Sequence, residues 1–364
     1  MSKFSTDVAV VGAGITGLST AYALKRRGLA CVCFEAAAPG AGQSAGRTRV
    51  FRHGHDDERL VRLAVRARAE WERLESELGA RLLGREGVLV CGPNVAERAA
   101  AFEVAGVPAR LIGRDEQASV LPILEPPDGE AVFDEFGGST DVRAVIDGLA
   151  AALGDRLVRA RVFDLHESRS SIKLHTSEGI CSAERAVVCP GAELDQLTAG
   201  LGLDIPLTVE LHARASFPVR EPGTPLACLQ DRSGAHGETV YAAPMPDGLE
   251  YAIGLGGNDE PPVEEALTRL RRYVERGMLG LEPAPASVRL CQTSILPWGP
   301  DAFAVWETER IAVLAGANLF KFGPLLGELL ADAAISAPAG EDLSPAARLG
   351  RGVSAAAGHA RRSG

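Results

Sequence analysis

The chain has 364 residues, of which 46% are hydrophobic and 24% are charged, and its formal net charge at pH 7 is −10. This length exceeds what one hydrophobic core usually supports, so we expect two packed domains, and the composition is that of a globular enzyme rather than a disordered or fibrous protein. The acidic balance argues against a nucleic-acid partner, because proteins that bind the phosphate backbone usually present a basic face.

The sequence also bears on location. It contains no run of about 20 apolar residues and no signal-peptide layout at its start, which predicts no membrane partner and a cytoplasmic protein. Seven cysteines, at positions 31, 33, 91, 181, 189, 228 and 291, are scattered and lie mostly within apolar runs. This pattern favours reduced core thiols over a disulfide framework.

The first elements in chain order are a strand, a helix and a second strand. We predict a strand over Asp7–Val11, a helix over Ile15–Arg27 and a strand over Ala30–Glu35. Residues 36–56 are rich in Gly, Ala, Ser and Arg and predict a loop. The following segment, Glu58–Leu78, has apolar residues at steps of three and four and therefore predicts an amphipathic helix.

The rest of the chain predicts two interleaved domains. Further strands are expected at 88–90, 108–112, 157–166, 171–175, 186–189, 239–243, 251–255 and 310–314, and further helices at 141–153, 263–276 and 324–335. We assign residues 1–80, 141–204 and 297–336 to an α/β Rossmann-like nucleotide-binding domain, and residues 81–140 and 205–296 to an α+β substrate domain with an antiparallel sheet. Residues 337–364, rich in Ala, Gly, Ser and Arg, predict a flexible tail.

A glycine motif follows the first strand. Gly12, Gly14 and Gly17 form the pattern G-x-G-x-x-G, which permits a tight turn, close approach of a pyrophosphate and close packing of helix on strand. The free N–H groups of the helix start bind phosphates. Glu35 ends the second strand, where a carboxylate binds ribose hydroxyls. The motif predicts a dinucleotide but does not distinguish FAD from NAD; the loop that follows, in place of another βαβ unit, favours FAD.

Three further parts of the chain carry a family resemblance. They are Gly46–His53 with the helix that contains Trp71, Ala186–Ala192, and the pair formed by Leu290–Thr293 and Ala315–Pro324. With the glycine motif, they make the chain resemble the D-amino-acid-oxidase superfamily of FAD amine oxidoreductases. Within it, the chain resembles the branch of monomeric sarcosine oxidase and N-methyltryptophan oxidase.

The resemblance implies a cofactor site and a substrate site. The cofactor-binding residues it implies are Gly12, Gly14, Ile15, Thr16, Gly17, Glu35, Ser44, Thr48, Arg49, Val162, Gly191, Cys291, Gly316, Leu319, Phe320 and Lys321. Cys291 is expected to be joined through sulfur to the 8α-methyl of the flavin, and the alternative is a plain buried thiol.

The catalytic residues implied are Arg49, Arg52, Lys321 and Tyr241. Lys321 would hold the substrate carboxylate, and the alternative is a surface lysine. Arg49 would lie near the flavin, Arg52 would pair with a carboxylate, and Tyr241 would form a pocket wall. No metal is expected, because two histidines on one charged loop do not make a ligand set.

The activity implied is oxidation of the C–N bond of a secondary or cyclic amino acid, or a related carboxylate-bearing amine, to an imine. Molecular oxygen would be the acceptor, giving hydrogen peroxide. One segment departs from the branch: residues Tyr251–Gly257 lack the lysine and histidine that the branch carries there. Two alternatives therefore stay open, a flavin amine dehydrogenase that uses another acceptor and a non-catalytic FAD-binding protein.

Overall fold

The computed structural model describes residues 2–257, 261–335 and 340–351. The described residues form two eight-stranded sheets, one two-stranded sheet and a set of helices around them. The strands are β1 (Ser2–Val11), β2 (Cys31–Glu35), β3 (Thr48–Phe51), β4 (Val88–Cys91), β5 (Ala109–Ile112), β6 (Ala131–Asp134), β7 (Gly138–Asp141), β8 (Leu157–Arg159), β9 (Val162–Glu167), β10 (Ile172–Thr176), β11 (Gly179–Val188), β12 (Thr208–Pro218), β13 (Cys228–Asp231), β14 (Val240–Pro244), β15 (Glu250–Leu255), β16 (Ser287–Ile295), β17 (Phe303–Glu307) and β18 (Ile311–Gly316). The α-helices are α1 (Ile15–Arg26), α2 (Glu58–Leu78), α3 (Val95–Val104), α4 (Arg114–Val120), α5 (Val142–Leu153), α6 (Leu194–Thr198), α7 (Val263–Gly277) and α8 (Gly323–Ile335).

The first sheet has the strand order β17-β18-β11-β1-β2-β8, with β10 and β9 paired beyond β11. Its central pairs, β18–β11, β11–β1, β1–β2 and β2–β8, are parallel. Helices α1, α5 and α8 share one hydrophobic core with β1 and β11. Parallel strands covered on both faces are apolar throughout, and all six residues of β18 are buried accordingly.

The second sheet has the order β16-β12-β15-β14-β13-β4-β6-β5 and is antiparallel except for the pair β13–β4. The amphipathic helix α7 covers one face, where Leu270 and Tyr273 share a core with Phe217 and Ile253. Because successive strand residues point to opposite faces, the residues between these core positions point to the other face. The predicted fold class, a Rossmann-like domain with a second antiparallel-sheet domain, is confirmed.

A short two-stranded sheet corrects the prediction of a loop over residues 36–56. Strand β3 pairs with β7 in an antiparallel register that places Arg49 opposite Thr140. The loop prediction is therefore wrong for Thr48–Phe51. Composition could not show this strand, because it is four residues long, lies among Gly and Ser, and pairs with a segment that is distant in sequence.

The tail also differs in part from its prediction. Leu343 and Leu349 are buried. The Gly350 N–H donates to the Asp57 carboxylate at 2.9 Å, and Trp298 Nε1 donates to the Leu349 carbonyl at 3.1 Å. The expectation of a flexible tail therefore does not hold for residues 340–351; the remaining residues of the predicted tail, 337–339 and 352–364, lie outside the described residues.

The division into two domains stays a prediction, although the strands of each large sheet fall within the segments assigned to one domain. Within the described part of the chain, no helix combines the length and the apolar character that crossing a membrane requires. All seven cysteines lie within that part, and each is buried as a free thiol.

Candidate functional site

A cavity of about 1090 Å³ lies between the two large sheets. It extends from the start of α1 to the face of the second sheet that α7 leaves open, and the turn that precedes α8 forms another wall. Every predicted site residue except Gly17 lines this cavity. The fold thus brings together residues that are far apart in the chain, such as Gly12 and Lys321.

The glycine motif sets how closely β1, α1 and the end of β11 approach one another. Gly12 has φ +94°, and a Cβ added there would lie 2.4 Å from the Cys189 carbonyl oxygen. A Cβ added at Gly17 would lie 1.8 Å from the Gly12 carbonyl oxygen. Gly17 therefore serves packing rather than the cavity wall, and the close packing leaves the start of α1 facing the cavity.

Two side chains fix the backbone around that helix start. Ser44 Oγ accepts a hydrogen bond from the Ile15 N–H at 2.9 Å. Glu35 accepts the Ala13 N–H at 2.7 Å on one oxygen and the Ala37 N–H at 2.8 Å on the other. Each carboxylate oxygen has a second lone pair, so Glu35 retains acceptor capacity at the cavity edge for ribose hydroxyls.

The remaining predicted site residues from the first sheet lie at or next to strand ends. Val162 begins β9, Gly191 follows β11, and Gly316 ends β18, as expected for a site at the edge of a parallel sheet. Nearby, Thr48 Oγ1 is buried and has no hydrogen-bond partner among the described residues. Such an orphaned hydroxyl in a cavity wall fits a bound polar group.

The turn Leu319–Phe322, a short 3-10 helix before α8, holds the predicted lysine. Trp71 of α2 donates its indole N–H to the Lys321 carbonyl at 2.8 Å and stacks on Phe320 at a centroid distance of 6.2 Å. Lys321 is only 6% exposed, and its Nζ lies 5.3 Å from the centroid of the Phe322 ring. The alternative of a surface lysine is therefore wrong.

Arg49 lies on the same side of the cavity. Its guanidinium donates to the Thr48 carbonyl at 2.9 Å and to the Ala45 carbonyl, and it lies 5.9 Å from the Phe320 ring centroid. Burial and the nearby charge of Arg214 lower the pKa of Arg49 to about 9. Arg49 therefore still carries a positive charge at neutral pH, fixed by backbone carbonyls.

Cys291 and Tyr241 come from the second sheet. Cys291 is buried on β16, opposite His212 of β12, and lines the same cavity as Arg49. Tyr241 Oη accepts a hydrogen bond from Arg214 Nε at 2.7 Å. Gly254, in the segment that departs from the resembled branch, lies beneath this ring, and a Cβ there would be 2.4 Å from Tyr241 Cζ.

A carboxylate that sequence reasoning missed joins the two predicted carboxylate-binding cations. Arg52 donates to Asp301 Oδ2 at 2.7 Å, and Lys321 Nζ lies 3.6 Å from Asp301 Oδ1. His55 Nδ1 is 2.9 Å from Oδ2, and the Asn318 amide donates to Oδ1 at 2.7 Å. We refer to Arg52, His55, Asp301 and Lys321 as the Asp301 cluster.

Burial and charge set the protonation of this cluster. Burial opposes ionisation of Asp301, yet the Lys321 and Arg52 charges hold the pKa of Asp301 well below its ordinary value. Burial, reinforced by Arg52 and opposed by Asp301, lowers the pKa of Lys321 to about 7. Burial and the same arginine lower the pKa of His55 to about 3, so this imidazole is neutral at physiological pH.

Comparison with known proteins gives concordant results. The sequence profile of the DAO family, described as FAD dependent oxidoreductase, matches residues 7–333. Monomeric sarcosine oxidase of Arthrobacter sp. (strain TE1826) is 26% identical over 94% of this chain and 95% of its own length. N-methyl-L-tryptophan oxidase of Yersinia pestis (strain Pestoides F) is 26% identical over 93% and 97%.

Among solved structures, NikD, an amino acid oxidase of nikkomycin biosynthesis, superposes with a TM-score of 0.81 at 21% identity. The match covers 92% of this chain and 94% of NikD and shows a shared fold. The profile match over residues 7–333 confirms the predicted family: the chain belongs to the DAO family of FAD-dependent oxidoreductases.

Proposed function

We propose that this enzyme oxidises the C–N bond of a secondary or cyclic amino acid, or a related carboxylate-bearing amine, to an imine, with oxygen as acceptor and hydrogen peroxide as product. The observation that carries the proposal is the pair of buried cations, Arg52 and Lys321, on the wall of the cavity that begins at α1. Two relatives are named for sarcosine and N-methyl-L-tryptophan, which are both secondary amines with a carboxylate.

The residues around the cavity fit FAD. The start of α1 would bind the pyrophosphate, Glu35 would bind the ribose, and the isoalloxazine would lie toward Arg49 and Cys291. When bound, FAD accepts the two electrons that leave the amine as a hydride equivalent from the carbon next to nitrogen when the C–N single bond becomes a C=N bond. Arg49 would place positive charge where the reduced ring becomes anionic. The buried hydroxyl of Thr48 would gain a partner.

The protein's own part in the reaction is to bind and orient the amine. Lys321 and Arg52 would hold the substrate carboxylate, and Tyr241 would form the opposite wall, so that the C–N bond is presented to the flavin. Within the Asp301 cluster, the pKa values of Asp301 and His55 are held so low that both are weak proton acceptors, and the stronger base near neutral pH is the neutral fraction of Lys321. A substrate amine that binds in its neutral form would need no further base.

Gly17→Ala is expected to abolish FAD binding, because the new Cβ would lie 1.8 Å from the Gly12 carbonyl and force α1 away from β1. The purified variant should lack the absorbance of bound flavin. Gly113→Ala is the matched control: it stands before α4, and an added Cβ meets nothing within 4 Å. Wild-type flavin content in Gly17→Ala would contradict the assignment of the α1 start as the pyrophosphate site.

The proposed activity is tested with a panel of secondary and cyclic amino acids in air. A true oxidase should release one hydrogen peroxide for each imine, detected as its carbonyl hydrolysis product. One observation favours a second candidate, an amine dehydrogenase: residues 252–257, which belong to β15 and the stretch after it, line the cavity, and none of them carries a charged side chain. Product formation that needs an added dye acceptor, with little peroxide, would identify the dehydrogenase.

A further inference from the structure

We propose that Asp301 is a positioning residue, which holds the Arg52 guanidinium and the Lys321 ammonium together as one carboxylate-binding pair and keeps Lys321 charged. This inference rests on the proposed function, since it concerns the same carboxylate site. Asp301 precedes β17, whereas Arg52 follows β3 and Lys321 precedes α8. The carboxylate therefore joins three separate parts of the chain.

The contacts of Asp301 fix its carboxylate on both oxygens. Oδ2 receives Arg52 at 2.7 Å and lies 2.9 Å from His55 Nδ1, and Oδ1 receives the Asn318 amide at 2.7 Å. Lys321 Nζ lies farther away, at 3.6 Å. This distance is longer than a hydrogen bond but short enough for a strong electrostatic interaction. Asp301 thus orients Lys321 and leaves N–H donors of the Lys321 ammonium available for a ligand.

The charges around Lys321 show why a shared counter-ion is needed. The charged and titratable groups that face Lys321 are Arg52 and His55, from the segment after β3, and Asp301. Arg52 repels the ammonium and His55 is neutral, so Asp301 is the group that stabilises the charge on Lys321. Two buried cations without a counter-ion would be strongly destabilised, and the one that can lose a proton is Lys321.

This role has a pH signature. A carboxylate ligand binds the charged form of Lys321, so its affinity should be full below the pKa of about 7 and should fall as pH rises through it. Asp301→Asn removes a charge that raises this pKa, and the loss of affinity should then begin at a lower pH. A purely structural defect would weaken binding equally at every pH.

The experiment measures binding of benzoate to the flavin-loaded protein by isothermal titration calorimetry between about pH 4.5 and pH 9. Benzamide, a neutral isostere, serves as the reference ligand. In Asp301→Asn, the pH at which benzoate affinity falls should be lower than in the wild type by roughly one to three units. This is the range produced by removing an opposite charge at this distance. Benzamide binding should not acquire this dependence.

Two further variants serve as controls. Asp56→Asn removes another carboxylate of the cavity wall, one that pairs with Arg232 and Arg98 instead, and should leave the pH profile unchanged. Asp301→Glu keeps the charge and should keep the wild-type midpoint even if affinity falls. If Asp301→Asn does not fold, Asp301→Glu becomes the test. The proposal would be overturned if the pH midpoint in Asp301→Glu shifted as far as is expected for removal of the charge.

The outcomes separate this inference from the proposed function. In one outcome, Lys321→Met abolishes the preference for benzoate over benzamide, but Asp301→Asn retains the wild-type pH profile of benzoate affinity. Asp301 then has no positioning role, and the carboxylate site at Lys321 is still supported. Suppose instead that the wild-type protein binds benzoate no better than benzamide, or that Lys321→Met keeps the preference. The carboxylate site at Lys321 is then wrong, and the role of Asp301 falls with it.

Discussion

Replacement of Cys291 by serine is expected to release all of the flavin when the protein is precipitated with acid, whereas the wild-type pellet should stay yellow. We propose a thioether between the Cys291 sulfur and the flavin 8α-methyl, because Cys291 is buried on β16 and lines the cavity, as does Arg49. A hydroxyl is a much weaker nucleophile than a thiolate, so serine should not form the link.

The control for this experiment is another buried strand thiol. Cys181 lies on β11 within the core of the first sheet, and burial raises its pKa to about 11, so it stays an unreactive thiol. Cys181→Ser should retain acid-stable flavin, and the mass of the wild-type protein should include one FAD. Wild-type flavin that washes freely into the acid supernatant would show that Cys291 is only a buried thiol.

Lys321→Met is expected to weaken the binding of carboxylate substrates about 10- to 150-fold, which corresponds to the roughly 1.5 to 3 kcal/mol of a hydrogen bond to a charged group. Lys321 is buried with its ammonium near the Phe322 ring, where the attraction between ammonium and carboxylate is screened less than in water. Methyl esters of the same substrates should lose little. The measurement is a titration of each acid and its ester on both proteins below pH 7, where Lys321 is charged.

The matched control is Lys173→Met, which removes an exposed lysine of β10 and should change neither ligand. Equal losses for acid and ester in Lys321→Met would mean that Lys321 supports the packing or the flavin. The carboxylate contact would then belong elsewhere, with Arg52 as the next candidate.

The parts of the site that could be predicted from the sequence are those whose signal is local. Gly12, Gly14, Gly17 and Glu35 lie within one β-α-β unit, and each has a reason that can be stated from spacing alone. Lys321 could be singled out because it lies between two phenylalanines in a chain that uses arginine for most of its positive charge. The family resemblance supplied the remainder.

The parts that were missed depend on contacts between distant segments. Asp301 meets Arg52 and His55 across separations of 249 and 246 residues, and no spacing rule connects such positions. His55 is one of the two loop histidines, His53 and His55, that the sequence presents only as weak metal-ligand candidates, because spacing does not reveal its carboxylate partner. The buried Leu343 and Leu349 were missed for a related reason: they lie in a segment whose Ala, Gly and Ser content suggests disorder.

The central claim is that this site oxidises amines that carry a carboxylate. Its most direct test is anaerobic titration of the FAD-loaded protein with secondary and cyclic amino acids, each paired with its ester and its decarboxylated analogue, while the visible flavin absorbance is followed. We predict that at least one amino acid bleaches the flavin completely and that its two partners do so far more slowly. Two results would contradict this claim. In the first, dithionite reduces the flavin but none of the amines does. In the second, each amino acid, its ester and its decarboxylated analogue all reduce the flavin equally well.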